Sequence, residues 1–524
     1  ANVTHSPQSP ASRLWARDPV LWSSDPDLYP AIARRMGWLD SPQWLADHSD
    51  RLTHWAQGIH ERGFTRAVLI GMGGSSLAAE VLSKVFSPVD DGLSLTVLDN
   101  THPDAIRAVL GRQSWARILF VFSSKSGTTA EVQALCTWVL ESLEEQGIAE
   151  PGAQCIAITD AHSPLADLAM QRHFHDCLLN PTDIGGRFAA LTAFAMAPAA
   201  LMGIGLGPLA DSAMDMAQRC HAQDPLHNPG LALGGWLAEH WQSGRDCLQL
   251  CFDDDFAPLA GWIEQLVAES TGKAGKGILP LDRSHPGAPA DRLVRVAIGG
   301  AADTPFWQEV KVLAQDGVPL HRIELESAAA LGGEFFRWAF AVAIVGAAMG
   351  VNPFDEPDVE ASKQVTRDLL AGDVSTGSAE PGALGGLAQC LHEAPQGSYF
   401  SILAYVPPEP AVYDALEGFA QSVREQYGLP VSISTGPRYL HSTGQLHKGG
   451  PASGIFLFVS LVPEQDLAIF CEDFSFGELN RAQAIGDCAV LLQRGRPVFA
   501  VDVFGEPSSC AWQLRDKLHF ALNG

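Results

Sequence analysis

One stretch constrains the fold more than any other part of the chain: residues 117–133 read RILFVFSSKSGTTAEVQ. The stretch starts with Ile118 to Phe122, an apolar run of strand length, and continues through a hydroxyl-rich loop at 123–129. From Thr128 onward, apolar residues recur at the spacing of one helix face, namely at Val132, Leu135, Cys136, Val139 and Leu140. We therefore predict a buried strand that passes through a polar turn into a helix.

The turn between this strand and this helix has the chemistry of an anion site. Unpaired backbone N–H groups and the helix dipole favour an anion at a helix N-terminus. Serine and threonine hydroxyls add further donors, and Lys125 adds positive charge. The pattern predicts a phosphate cradle. The spacing G-x4-G-K-[ST] is absent, which argues against a nucleotide-hydrolysing P-loop.

Strands and helices alternate through residues 63–215. Further strands are predicted at 67–71, 93–98 and 155–159, and the turn 71–76 follows the first of them. Such alternation predicts a parallel sheet with helices on both faces, and ligands then bind at the carboxyl ends of the strands. Both polar loops, 71–76 and 123–129, lie at such ends.

The turn 71–76 reads GMGGSS and has a second interpretation. Its G-x-G-G pattern, with Asp99 downstream, is also a weak signal for a dinucleotide site. Ser75 and Ser76 stand where that motif has its third glycine, and a dinucleotide would leave the hydroxyl loop at 123–129 unexplained. The phosphate cradle is therefore the preferred interpretation.

The alternation of strands and helices resumes twice after residue 215. Strands are predicted at 247–252, 293–298, 321–325, 399–406, 431–434, 454–461 and 496–504. A stretch rich in Gly, Ser and Pro at 372–385 is typical of a linker. We predict an N-terminal helical arm at 1–62, two α/β domains at 63–215 and 216–375, and a C-terminal α/β domain at 386–524.

Composition limits the function classes and the cellular compartment. A formal net charge of −26 argues against a nucleic-acid partner, which needs a basic face. Ten cysteines without a CxxC pair are typical of a reducing cytosol. The first residues show no signal peptide, and the chain does not begin with Met, which is compatible with a part of a longer polypeptide. Phe188 to Ala210 is uncharged but contains Pro198 and lacks basic flanks, so we expect a buried helix pair rather than a membrane span.

Gln265 and Glu269 are four residues apart and therefore share one face of a predicted helix. A carboxylate at a helix end that faces a cleft suits a general base. The alternative is a surface glutamate paired with Lys273.

Arg187 and Lys363 can each be interpreted either as a residue of a binding site or as an ordinary surface residue. Arg187 follows two glycines, and its planar guanidinium suits a phosphate or an enediolate; the alternative is a solvated arginine. Lys363 ends a polar run that starts at Asn352, and the alternative there is a surface helix start with Lys363 paired to Glu360.

A further loop, residues 441–450, reads HSTGQLHKGG and contains two histidines. Such a loop is costly to order unless it binds something. No acidic or histidine partner stands at ligand spacing within it, so no metal site is predicted.

Taken together, these segments resemble the phosphoglucose isomerase family. Gly71 to Ser75 is similar to its GxGGS loop, and Ser124 to Thr129 to its SKTxTT phosphate loop and, in the Ser-Gly form, to sugar-isomerase (SIS) domains. The rest of the set, in family order, is Gly185-Gly-Arg187, Gln265-x3-Glu269-Ser and Asn352-Pro-Phe-Asp…Lys363.

The resemblance implies a fold and an activity. The fold is α/β, with two SIS-type three-layer αβα domains of mainly parallel sheets, a third α/β unit and the helical arm. The activity is the interconversion of glucose 6-phosphate and fructose 6-phosphate through a cis-enediol, in glycolysis and gluconeogenesis, in the cytoplasm and without metal or cofactor. The alternatives are an isomerase acting on mannose 6-phosphate, alone or as well, and a non-catalytic SIS sensor.

The resemblance also implies roles for individual residues. Glu269 would move the proton between C1 and C2, Arg187 would stabilise the cis-enediol, and Lys363 would complete the catalytic set. Gly74 and Gln265 would contact the substrate. The phosphate would be held by Ser75, Ser124, Lys125, Ser126, Thr128 and Thr129.

Two departures from the family pattern concern the site. Glu356 stands where the family has a glutamine. The ring-opening histidine is absent from its usual place, and the nearest likeness to its segment is the loop after Lys363, so His441 is the predicted ring opener and His447 the second choice.

The C-terminal unit bears on the partners of the chain. It resembles the isomerase half of bifunctional transaldolase/phosphoglucose isomerase proteins, so a covalent fusion to a transaldolase module is one expectation. Family members are usually homodimers that share active-site residues, whereas here the third unit could supply His441 in cis. No membrane partner is expected.

Overall fold

The computed structural model describes residues 9–87, 89, 92–111, 114–281, 287–302, 304–372 and 380–523. The predicted α/β class is confirmed, because these residues form three sheets in which every strand pair is parallel. The first residues, on which the signal-peptide prediction rests, lie mostly outside the described ranges.

The first sheet has the strand order β2-β1-β3-β4-β5, the second β7-β6-β8-β9 and the third β11-β10-β12-β13. The strands are β1 (Arg66–Gly71), β2 (Ser94–Leu98), β3 (Ile118–Ser123), β4 (Cys155–Thr159), β5 (Asp176–Leu179), β6 (Cys247–Phe252), β7 (Leu279–Leu281), β8 (Leu293–Gly299), β9 (Leu320–Glu324), β10 (Tyr399–Tyr405), β11 (Val431–Thr435), β12 (Gly454–Val462) and β13 (Val498–Phe504).

The helices of the described residues cover the faces of the sheets and connect the strands. They are α1 (Pro10–Trp15), α2 (Tyr29–Ala33), α3 (Ser41–His60), α4 (Leu77–Val85), α5 (Pro103–Leu110), α6 (Ala130–Glu145), α7 (Pro164–Gln171), α8 (Ala193–Leu201), α9 (Leu206–Arg219), α10 (Pro229–Gln242), α11 (Leu259–Thr271), α12 (Pro305–Leu313), α13 (Leu331–Met349), α14 (Val359–Leu370), α15 (Leu387–His392), α16 (Pro410–Tyr427), α17 (Gly444–Gly449), α18 (Phe476–Gln493) and α19 (Pro507–Asn523).

The strand–turn–helix prediction for residues 117–133 is confirmed. Every residue of β3 is buried, and α6 begins directly after the hydroxyl loop. β3 lies beside β1 in the sheet, and the last residues of the two strands, Ser123 and Gly71, are register partners. The loops 71–76 and 123–129 therefore leave the same edge of the sheet side by side, as the parallel alternation predicted.

The largest core lies between the first two sheets and is built from helices. α13 packs against α9, α10 and α11, and the predicted buried helix pair is present as α8 and α9. Within the described residues, one helical segment, Ala328–Met349, is long and apolar enough to cross a membrane. Because 78% of its most apolar window is buried inside the protein, it is a core helix.

The third sheet packs against the other two through its own helices. α18 contributes Phe476 and Leu479 to the core beneath the first sheet, and the third sheet shares a core with one face of the second. α14, which falls in the second predicted domain, packs against α18. The proposed boundaries stay a prediction, and residues 373–379 of the predicted linker lie outside the described residues.

Candidate active site

Hydrogen bonds join and shape the two polar loops at the edge of the first sheet. The Ser123 hydroxyl donates to the carbonyl oxygen of Ser75 at 2.7 Å, which ties one loop to the other. Within the second loop, the hydroxyls of Ser124 and Thr129 lie 2.9 Å apart, and the backbone N–H of Gly127 donates to Ser124 Oγ at 3.1 Å. Gly127 has φ +68°, a left-handed conformation that suits glycine.

The loop 71–76 approaches the segment before α8 so closely that only glycine fits at Gly74. A Cβ on Gly74 would lie 2.1 Å from the carbonyl carbon of Gly186. The next residue in that segment is Arg187, so this contact sets the distance between the first loop and the arginine.

We expect Gly74→Ala to destabilise the fold by about 1–3 kcal/mol, the usual cost of overpacking, and to lower any activity of the site. The neighbouring atoms are backbone and cannot move aside without shifting Arg187. Urea unfolding measures the loss. Gly58→Ala in α3 is the matched control, because a Cβ there meets no atom within 4 Å; equal stability of the two variants would contradict the packing argument.

Glu269 lies in the last turn of α11 and is buried, with 6% of its surface exposed. Its Oε1 lies 3.5 Å from Arg187 Nη1, and its Oε2 accepts a hydrogen bond from Gln265 Nε2 at 3.1 Å. Burial raises the pKa of Glu269, and Arg187 offsets part of that rise. A buried carboxylate with a raised pKa and a fixed orientation has the properties of a general base.

Arg187 is also buried and is held by neighbouring groups. Its Nε donates to Ser270 Oγ at 2.8 Å, and its Nη1 donates to Glu356 Oε2 at 3.1 Å. Its Nη2 donates to the carbonyl oxygens of Pro353 and Asp355 at 2.6 and 2.8 Å. One N–H remains, on the Nη1 atom that faces Glu269, so Arg187 supplies a positive charge of fixed position beside the carboxylate.

Glu356, the departure from the family pattern, faces two arginines. It bonds Arg187, and its Oε1 lies 3.5 Å from Nη2 of Arg35, which follows α2 in the N-terminal arm. Burial acts to raise the pKa of Glu356, but Arg187 and Arg35 outweigh burial and lower it. The arm therefore contributes a charged residue to the surroundings of Glu269.

Lys273 does not pair with Glu269, so that alternative interpretation of Glu269 as a surface residue is wrong. Lys273 is buried, and its Nζ lies 2.9 Å from Asp355 Oδ1 and also donates to the carbonyl oxygen of Asn352. Burial and the nearby Arg187 lower the pKa of Lys273 to about 8. Lys273 and Arg187 together hold the loop between α13 and α14.

His441 lies at the end of a short 3₁₀ turn, Arg438–His441, in the third unit. Its Nε2 lies 3.0 Å from Oε1 of Glu131, a buried residue in the first turn of α6. The backbone of His441 reaches the base, because Gln265 Nε2 donates to the His441 carbonyl oxygen at 2.7 Å. Gln265 therefore contacts both Glu269 and His441.

His447, the second choice for ring opening, is enclosed in the core. Its Nδ1 lies 3.0 Å from the Tyr399 hydroxyl, and its ring packs edge-on against Phe456. Burial lowers the pKa of His447 to about 3, so the imidazole is neutral at ordinary pH.

A cleft of about 490 Å³ lies between the start of α6 and α14. One wall carries Ser126, Thr128, Thr129 and Glu131, and the other carries Lys363. The lining also includes Arg367, His441, Lys448 and Gln483. The hydroxyl loop and the predicted ring-opening histidine therefore share one cleft.

The two predicted lysines take different positions. Lys363 lines the cleft with a half-exposed side chain that lies 3.9 Å from Glu360, and no hydrogen bond or ion pair of the described residues joins it to Glu269 or Arg187. Lys125 is not among the residues that line the cleft. Its Nζ pairs with Asp160 and donates to the carbonyl oxygen of Thr182 at 3.0 Å.

The structure thus brings together Glu269, Arg187, Gln265, Gly74 and the backbone of His441. Sequence reasoning missed Glu131, although an acidic residue in the first turn of the helix after the phosphate loop was a usable signal. No group of three or more His, Cys, Asp or Glu side chains within the described ranges is arranged to hold a metal ion.

The family model described as phosphoglucose isomerase matches residues 47–278. We refer to these residues as the phosphoglucose isomerase segment, because this stretch of the chain is similar to that family. It contains the first sheet, both polar loops, Arg187, Gln265 and Glu269. The phosphoglucose isomerase segment ends before Lys363 and His441, so the roles of those two residues stay proposals.

Similar proteins carry the same family name. A glucose-6-phosphate isomerase from Synechococcus sp. is 29% identical over 266 residues, which is 48% of each chain. A probable glucose-6-phosphate isomerase from Haloarcula marismortui is 26% identical over 347 residues, which is 59% of this chain and 78% of the other. The chain spans about half the length of several of the curated relatives it matches, the Synechococcus protein among them.

A solved structure of a hypothetical protein from Thermus thermophilus is similar in fold. The TM-score is 0.61 at 23% identity, over 69% of this chain and 94% of that one. This likeness shows that the two proteins share an α/β fold over that part of the chain.

Proposed function

We propose that the chain is an aldose–ketose isomerase that interconverts glucose 6-phosphate and fructose 6-phosphate through a cis-enediol. The observation that carries this proposal is the buried Glu269 carboxylate, fixed between Arg187 at 3.5 Å and Gln265 at 3.1 Å. Isomerisation requires one base that removes a proton from C2 and returns it to C1, and a single carboxylate can do both.

Glu269 is suited to this proton transfer by its surroundings. Its raised pKa makes the carboxylate a stronger base than an exposed glutamate, while Arg187 keeps the ionised form accessible. As the proton leaves C2, negative charge develops on the enediolate. The guanidinium of Arg187 already lies in place to offset that charge, so no reorganisation is needed during the step.

In this proposal the phosphate of the substrate binds at the start of α6, at the opposite end of the sugar from C1 and C2. Ser126, Thr128 and Thr129 line the cleft there, and the helix N-terminus adds backbone N–H donors. Lys363 faces this loop across the cleft and supplies positive charge. Fixing the phosphate makes proton transfer at C1 and C2 an event within one positioned complex.

Ring opening is assigned to His441. Glu131 is ionised, because burial acts to raise its pKa but His441 and its hydrogen bond outweigh burial and lower it. An ionised carboxylate beside Nε2 accepts a hydrogen bond from the Nε2–H, which leaves Nδ1 as the ring atom that can exchange a proton with the sugar ring oxygen. His441 acts from the same chain as Glu269.

The test is conversion of fructose 6-phosphate, followed by NMR, and repeated with mannose 6-phosphate. We expect glucose 6-phosphate to form from fructose 6-phosphate. Glucose 6-phosphate and mannose 6-phosphate differ only in the configuration at C2 and share one enediol. The assay with mannose 6-phosphate therefore shows whether the site delivers the proton to one face of C2 or to both. Turnover of mannose 6-phosphate alone would replace the proposed substrate.

Two results of the same experiment would contradict the proposal. Binding of sugar phosphates without turnover would indicate a sensor, the non-catalytic alternative. Absence of both binding and turnover would remove the sugar-phosphate function altogether.

A further inference from the structure

Four buried polar side chains form a hydrogen-bonded series that leads from the third unit to His441. Asn480 Nδ2 donates to Thr101 Oγ1 at 3.1 Å, and the Thr101 hydroxyl donates to Gln483 Oε1 at 3.1 Å. Gln483 Nε2 then donates to Glu131 Oε1 at 2.8 Å, the same oxygen that lies 3.0 Å from His441 Nε2.

Each hydrogen bond of this series donates in the direction of Glu131. Because the Thr101 hydroxyl occupies the amide oxygen of Gln483, the amide nitrogen is the end that faces Glu131. One oxygen of Glu131 therefore receives two donors, one from Gln483 and one from His441. Leaving a buried carboxylate without one of its donors is costly, so the two bonds hold Glu131 in one position.

The four side chains of this hydrogen-bonded series come from two parts of the fold. Thr101 and Glu131 belong to the first sheet and its connections, whereas Asn480 and Gln483 lie on α18 of the third unit. Thr101 is fully buried, and the other three are at most 5% exposed. Gln483 also lines the cleft beside His441.

We propose that Gln483 is a positioning residue for ring opening, which fixes Glu131 and through it the orientation and tautomer of His441. This inference rests on the proposed function for its chemistry. It assigns α18 a part in the reaction, because a helix outside the phosphoglucose isomerase segment sets the geometry of the ring-opening pair.

Anomer exchange of the substrate separates this role from that of Glu269. Opening and closing the ring interconverts the α and β anomers of glucose 6-phosphate without any proton transfer at carbon. We expect Gln483→Leu to slow anomer exchange and isomerisation together by about 10-fold, with little change in KM. Glu269→Gln should lower isomerisation by about 10²–10⁴-fold and leave anomer exchange in place.

The acidic limb of the pH profile of anomer exchange provides a second readout, because Glu269 takes no part in that step. Without the Gln483 donor the Glu131 carboxylate takes a proton at higher pH, so the limb should move to higher pH. The titratable groups that face Glu131 are His441, Lys363 on α14 and Tyr405 on β10. All of them are unchanged in Gln483→Leu, so the shift reports the lost bond.

Gln421→Leu on α16 is the matched control, because Gln421 also donates to a glutamate, Glu425, but on an exposed helix face. If Gln483→Leu does not fold, Thr101→Val removes only the hydroxyl that orients the amide and should shift both readouts in the same direction. The inference would be overturned if Gln483→Leu, or Thr101→Val in its place, had the same anomer-exchange rate and the same pH profile as Gln421→Leu.

The ¹⁵N chemical shifts of the His441 ring, which report its tautomer, separate a failure of this inference from a failure of the proposed function. If the unmodified protein does not isomerise sugar phosphates, the proposed function fails, yet loss of the Gln483 bond should still change these chemical shifts. If the protein isomerises and the His441 ring shifts are the same in both proteins, the proposed function stands and the Gln483 inference fails.

Discussion

Glu269→Gln should lower the isomerisation rate by about 10²–10⁴-fold, the range attributed to a general base, and should leave sugar-phosphate binding in place. Glutamine keeps the size of the side chain and its contact with Gln265 but cannot take a proton. In the unmodified protein, activity should fall on the acid side as Glu269 becomes protonated. Because burial raises its pKa, this limb should lie above the ordinary glutamate value of 4.5.

The measurement pairs steady-state kinetics with direct binding of fructose 6-phosphate. Glu239→Gln on α10 is the control, since Glu239 is exposed. Isomerisation at the rate of the control would remove Glu269 as the base. Loss of binding together with turnover would indicate that Glu269 shapes the site rather than moves the proton.

Asp487→Ala should have the largest effect on stability, a loss of about 3–5 kcal/mol in the free energy of unfolding. Asp487 and Lys448 are both fully buried and form an ion pair. The Asp487 carboxylate also accepts hydrogen bonds from Ser362 at 2.8 Å and from Tyr439 at 2.7 Å. Removing it leaves the Lys448 ammonium buried without its counter-charge.

Urea unfolding of single and double variants tests this account. Adding Lys448→Met to Asp487→Ala should recover part of the loss, because the uncompensated charge is then gone. The exposed pair of Glu144 and Arg172, 2.8 Å apart, gives the control, and Glu144→Ala should cost at most about 1 kcal/mol. A double variant less stable than Asp487→Ala would contradict the charge argument.

The sequence predicted the sheets well because alternation and apolar runs are local signals. β3 and α6 follow directly from the pattern of residues 117–133, and the meeting of the loops 71–76 and 123–129 follows from parallel pairing. The helical spacing of Gln265 and Glu269 also predicted their shared face, and the structure adds the hydrogen bond between them.

The partners of the site residues could not be predicted in the same way, because they are distant in the sequence. Glu131 and Gln483 are 352 residues apart, and Ser362 and Asp487 are 125 apart. No local pattern marks such pairs. Glu356 illustrates the same limit: the sequence marks it only as a departure from the family pattern, whereas Arg187 and Arg35 flank it in the structure.

Deuterium exchange in D₂O tests the central claim, that Glu269 carries the proton between C1 and C2. The protein is incubated with fructose 6-phosphate, and NMR follows deuterium at C1 of the ketose and C2 of the aldose. The account predicts uptake of solvent deuterium by the unmodified protein and none by Glu269→Gln. Exchange by Glu269→Gln at the unmodified rate would contradict it, because deuterium would then reach C1 and C2 without that carboxylate.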